Sequence, residues 1–128
     1  IMDSKKHDII FSMTSHLPHL IAYNLVKTAT DFEKKKKFSL IKYSAGGLRD
    51  FSRIAASNEI MWRDVFFNNS KNITKAIDLF INSLKSFKKD IKFKKNKTIL
   101  KKLIETKKVR KKIIKLKQDI NKPDFGRN

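Results

Sequence analysis

The chain is predicted to be all-α, a helical bundle. Two observations lead there. Apolar residues recur at helical spacing through most of the 128 residues, with no stretch of strand-like alternation. Turn-forming residues are scarce, three Gly and two Pro, fewer than an all-β chain of this length needs. The length suits one compact domain with a core of its own, and a frayed tail is expected over residues 121–128.

The first helix is expected from about Ser4 to about Thr28. At about 100° per residue, Ile9, Ile10, Met13, Leu17, Leu20, Ile21 and Leu25 share one arc. The opposite arc holds Asp8, Ser12, Ser15, His16, His19 and Tyr23. It is polar yet carries no Lys, Arg or Glu, so it reads as a polar lining rather than a solvated face. Pro18 removes a backbone donor and should loosen the turn around Thr14, bending the helix beside the histidines. Asp31 to Lys37 is read as the start of a short helix or a loop, and Phe38 to Ser44 as a short apolar element. Gly46-Gly47 breaks the pattern, which allows positive φ or a close backbone approach. A short helix from Arg49 to Ala56 follows. Ser57-Asn58 is placed as the N-cap of the next one, with Glu59 in its first turn, and Asn68-Asn69-Ser70 as an interruption. Ile73, Ile77, Phe80, Leu84, Phe87 and Ile91 then form a heptad-like seam, expected to be buried across a two-fold interface. A last helix is marked by Ile99, Leu103, Ile104, Val109, Ile113, Leu116 and Ile120.

Composition sets limits on function. The net charge is +19. Residues 1–70 hold 11 Lys/Arg against 7 Asp/Glu, and residues 71–128 hold 20 against 5, so the excess lies in the second half. It is mostly Lys scattered around helical patterns, without the Arg and interleaved aromatics of nucleic-acid readers. No specific nucleic acid and no membrane is therefore expected as a partner. With no Cys, a disulfide framework is excluded and a cytoplasmic setting expected.

Three local features carry chemistry. Ser15-His16-Leu17-Pro18-His19 puts two histidines on nearly the same side of a helix. A metal pair with Asp8, two hydrogen-bonded core histidines and a substrate-facing pair are all open on local grounds. No third strong ligand sits at fixed spacing, so no metal is assigned. In Gly46-Gly47-Leu48-Arg49-Asp50-Phe51-Ser52-Arg53, Asp50 and Arg53 are three apart, either a surface ion pair or an Arg held ready for an anion. Met61-Trp62-Arg63-Asp64 holds the single Trp, nine residues from Arg53, and a break at Ser57-Asn58 would bring the two to one site.

Together and in this order, these segments resemble the C-terminal domain of the prephenate dehydrogenase family, which includes cyclohexadienyl and arogenate dehydrogenases. His7-Asp8 with Ser15-His16-Leu17-Pro18-His19 is similar to that domain's first helix. Gly46 to Ala55 resembles its glycine–Arg–Asp–Thr–Arg–Ile–Ala segment, and Ser57 to Val65 with Asn68 its next helix. Leu48 stands where the family usually has Phe, and Ser52 where it usually has Thr.

The resemblance implies an NAD- or NADP-dependent enzyme that oxidatively decarboxylates prephenate to 4-hydroxyphenylpyruvate for tyrosine biosynthesis. It implies that this chain supplies substrate pocket and homodimer interface, without the Rossmann domain or the catalytic histidine. Arg53 would bind a prephenate carboxylate with Asp50 orienting it. His19 would contact substrate, His16 and Ser15 would line or support the pocket, and Trp62 would brace the Arg53 region. Gly46 and Gly47 would let backbone approach the ligand. No catalytic residue is expected in this chain, which alone should not turn over prephenate or arogenate. The alternatives are a non-catalytic dimerisation or regulatory module and a basic helical nucleic-acid binder.

Overall fold

The computed structural model describes residues 1–119, and within them every regular element is helical. The order is α1 (Ser4–Phe11), a π-helical turn (Ser12–His16), α2 (Leu17–Lys36), a 3-10 turn (Ile41–Tyr43), α3 (Gly46–Ile54), α4 (Glu59–Asn68), α5 (Ser70–Lys92) and α6 (Asn96–Lys115). The chain divides into two compact units, Ile1–Ile81 and a second beginning at Asn82. The tail expected at 121–128 and Ile120 lie outside the described residues.

Local chemistry explains the boundaries. Asp3 caps α1, its carboxylate accepting from the Lys6 amide at 3.0 Å. Asn58 caps α4 by accepting from the Met61 amide at 2.9 Å, and Glu59 complements the helix dipole in the first turn, as expected. The interruption at Asn68-Asn69-Ser70 is the α4–α5 junction. Helix α2 runs to Lys36, so the charged stretch from Asp31 is its last turn rather than a new element. A Lys27–Asp31 pair at 2.7 Å and lysines 34–36 at the negative end of the dipole favour that extension. Three helices end on a lysine in the left-handed region, Lys37, Lys94 and Lys117 with φ of 58°, 49° and 56°. The last stops α6 at Lys115, so Leu116 does not continue it.

In the first unit, Ser12, Leu17, Ala22, Trp62, Ile73 and Ala76 are buried, and α2 packs against α3. In the second, Lys102 of α6 reaches the buried Asp90 of α5 at 2.6 Å, also donates to Ser86, and lies 4.9 Å from the centre of the Phe87 ring. The seam is buried at Ile73 but lies open at Leu84 (56% exposed) and Ile91 (64%) in the single chain.

Candidate functional site

The site is built around the turn that joins α1 to α2. Pro18 has no amide hydrogen, so an unbroken α-helix would leave the Thr14 carbonyl without its partner. The chain takes in one extra residue here instead, and the Leu17 amide reaches back to the Ser12 carbonyl. The expected loosening around Thr14 thus takes the form of a π turn. Two hydroxyls also bond to backbone carbonyls beside the turn: Ser12 donates to Ile9 O at 2.6 Å and Thr14 to Ile10 O at 3.1 Å. His19 Nδ1 donates to the Ser15 carbonyl at 2.9 Å. Ser15 thereby holds the His19 ring through its backbone carbonyl.

Both histidines meet Trp62 of α4. The Trp62 ring is buried and lies flat on His19, with centroids 3.8 Å apart and planes at 17°. His16 meets it edge-on at 6.2 Å, and Phe66 tilts against it at 5.6 Å. Tyr23, one α2 turn beyond His19, donates to the Ser57 carbonyl at 3.0 Å and so ties α2 to the α3–α4 connection. Trp62 was expected to brace the Arg53 region. Its ring neighbours are the two histidines and Phe66.

His16 is held from the α4–α5 junction. Asn69 Nδ2 donates to the Asp8 carbonyl at 2.8 Å and lies 3.2 Å from His16 Nδ1, while its Oδ1 accepts from Asn72 at 2.9 Å. Burial pushes the His16 imidazole below its usual range; the nearby Asp8 opposes this, and His7 and His19 reinforce it. Asn69 was read from the sequence only as part of a helix break. Its partners lie 53 and 61 positions away, beyond any local pattern.

The second motif forms α3. Gly46 and Gly47 are not at a positive-φ turn but in its first helical turn. A Cβ on Gly47 would meet nothing within 4 Å, and one on Gly46 only the tip of Arg49 at 3.9 Å, so the backbone is open there. Ala45 offers no side-chain cap, and Arg49 donates to the Ser44 carbonyl at 2.7 Å, fixing the approach to the helix. Asp50 and Arg53 are both exposed and do not form the expected ion pair. In solvent, an i, i+3 attraction barely offsets the entropy of holding two side chains. Arg53 has no side-chain hydrogen bond or ion pair among the described residues.

The structure therefore unites His16, His19, Ser15 and Trp62, and packs the helix of Arg53, Gly46 and Gly47 against the helix of His19. No cluster of three metal-ligating side chains occurs among the described residues, and no helix there is long and apolar enough to cross a membrane. The arrangement offers imidazole nitrogens beside an aromatic surface together with a guanidinium on the neighbouring helix. Such a set can bind an anion that bears an apolar ring.

Comparison with known proteins agrees. Residues 3–109 match the family described as prephenate dehydrogenase, dimerization domain. A cyclohexadienyl dehydrogenase of Zymomonas mobilis is 39% identical over 88 residues, 69% of this chain and 30% of that protein. A prephenate dehydrogenase of Bacillus subtilis is 37% identical over 84 residues, 65% of this chain and 22% of that protein. The crystal structure of Aquifex aeolicus prephenate dehydrogenase in complex with hydroxyphenyl propionate and NAD+ superposes with a TM-score of 0.81 at 40% identity, covering 88% of this chain and 39% of that one. The chain spans less than a third of the length of these sequence relatives. With its helical fold, its motifs and these matches in agreement, the chain belongs to the prephenate dehydrogenase dimerization-domain family.

Proposed function

We propose that this chain is the C-terminal substrate-binding and dimerisation domain of an NAD(P)-dependent dehydrogenase acting on prephenate or the related arogenate. The observation that carries the reading is the His16–His19–Trp62 cluster, set on a helix that packs against α3 with its unpaired Arg53. Arg53 binds a substrate carboxylate through its planar fork. His19 contacts the substrate through Nε2, since Nδ1 is committed to Ser15. His16 lines the pocket, and the open backbone at Gly46 and Gly47 lets the ligand come close. Asp50, one turn from Arg53, orients it once ligand has ordered both side chains. Trp62 holds the His19 ring plane.

The described residues contain neither the strands nor the glycine-rich phosphate loop of a Rossmann-type nucleotide site. Nicotinamide cofactor and the hydride chemistry are assigned to a part of the enzyme matching the portion of the relatives that this chain does not span. Dimerisation is supported by the open apolar residues Leu84 and Ile91 on α5 and Leu100, Leu103 and Ile104 on α6.

The test is Arg53→Ala in the complete enzyme. Loss of one charge-assisted contact of about 1.5–3 kcal/mol raises KM about 10- to 150-fold, with the dimer still folded by light scattering and circular dichroism. An unchanged KM would remove Arg53 from the site.

A further inference from the structure

We infer that Asn69 is a positioning residue that sets the tautomer of His16, leaving His16 Nε2–H as a fixed hydrogen-bond donor. The inference deepens the proposed substrate site and rests on that reading only for what His16 does with its proton.

The argument is one of donors and acceptors. The Asp8 carbonyl can only accept, so the atom 2.8 Å from it must be the Asn69 nitrogen. The reverse amide orientation would set two oxygens against each other and lose the Asn72 bond to Oδ1. The amide is therefore locked with an NH2 hydrogen left for His16 Nδ1 at 3.2 Å. An NH2 group cannot accept from a ring N–H, so Nδ1 must carry the lone pair and the neutral ring its hydrogen on Nε2. Protonating Nδ1 would bring two donors face to face. The titratable groups acting on His16 are Asp8 and His7 on α1 and His19 on α2, whereas Trp62 and Asn69, facing it from α4 and the junction, are uncharged.

His19 has the opposite arrangement. Its Nδ1 donates to a carbonyl, which leaves Nε2 with the lone pair in the neutral ring. The two histidines of one motif thus present different faces. His16 offers a hydrogen and His19 an acceptor. A ligand group able both to accept and to donate, such as a hydroxyl, matches this pair.

The tautomer is read directly from long-range ¹H–¹⁵N spectra of the full protein with ring-labelled histidine, His16 being assigned from the His16→Gln spectrum. The unsubstituted protein should show Nε2–H at His16. Asn69→Ala should give a mixture of tautomers. Asn69→Asp replaces the donor by a carboxylate, so His16 should move to Nδ1–H and titrate about one pH unit higher or more. Asn72→Ala keeps the Asn69–His16 contact and should keep the tautomer. An Nδ1–H signal in the unsubstituted protein overturns the inference even if no variant folds. So does an unchanged Nε2–H signal in folded Asn69→Ala. Kinetics separates this from the site reading: a changed tautomer with unchanged KM in Asn69→Ala leaves the lock standing and removes His16 from substrate contact.

Discussion

Trp62 is the point at which fold and candidate site can be measured together. Its ring is buried and touches three others, closest to His19 at 3.8 Å and nearly parallel. Truncation to Ala would cost about 3–5 kcal/mol, a large part of the stability of a domain this size. Trp62→Leu keeps most of the apolar volume and removes the ring pairings, each contributing about 0.5–1.5 kcal/mol. With three such neighbours of unequal closeness, about 1–3 kcal/mol is expected. A double-mutant cycle with His19→Gln isolates the stacked pair and should give a coupling near 1 kcal/mol. The assay is urea unfolding followed by far-ultraviolet circular dichroism, because Trp62 is the only Trp and its fluorescence disappears with it. Effects that add to within about 0.3 kcal/mol would refute the argument. Trp62 would then be a filler of space and His19 merely its neighbour.

Other perturbations reach further. Because His16 is held below its usual range, the folded protein resists its protonation while the unfolded chain does not. Its contribution to stability is complete above the ordinary histidine range and falls as pH drops through it; His16→Gln should flatten that part of a pH–stability curve, and an unaltered slope would place the effect elsewhere. In the second unit, Lys102→Met strands the buried Asp90 carboxylate and should cost about 2–3 kcal/mol, below the fully buried value because Lys102 is 28% exposed. Combining it with Asp90→Leu should restore most of the loss in thermal melts; a double variant worse than either single would show the pair to be irreplaceable. Lys94→Gly, at φ 49°, should raise the urea midpoint by the equivalent of about 0.5–1 kcal/mol, since glycine occupies the left-handed region without strain. Leu84→Glu should leave one chain folded and, if α5 forms the dimer contact, halve the mass seen by light scattering.

The helices were legible because apolar spacing and caps are local. Asn58, Glu59 and the break after Asn68 could be placed from their neighbours alone. The end of α2 was not, because lysines 34–36 read as loop-like charge until Lys37 is seen taking the left-handed turn. The glycines of the second motif suggested an unusual turn, yet they lie in an ordinary helical turn with open space beside them. The candidate site was legible as a set of residues and less so as a set of contacts. His16, His19 and Trp62 come together, but a Trp nine residues from an Arg gives no sign that it will choose the histidines. Asn69 acts across 53 residues on His16, and periodicity is blind to such a link.

The extra residue in the turn before Leu17 has a consequence for how this sequence can change. Each residue advances a helix by about 100°, so deleting one position between Ser12 and His16 would restore regular winding and swing all that precedes it by that angle. The Asp8 carbonyl would leave Asn69, and the amide that faces His16 would lose the bond that fixes its orientation. Many single exchanges of side chain there would be survivable. A change of length would not, and the segment should therefore be far less forgiving of deletions than of substitutions, a contrast that a systematic scan of both would reveal.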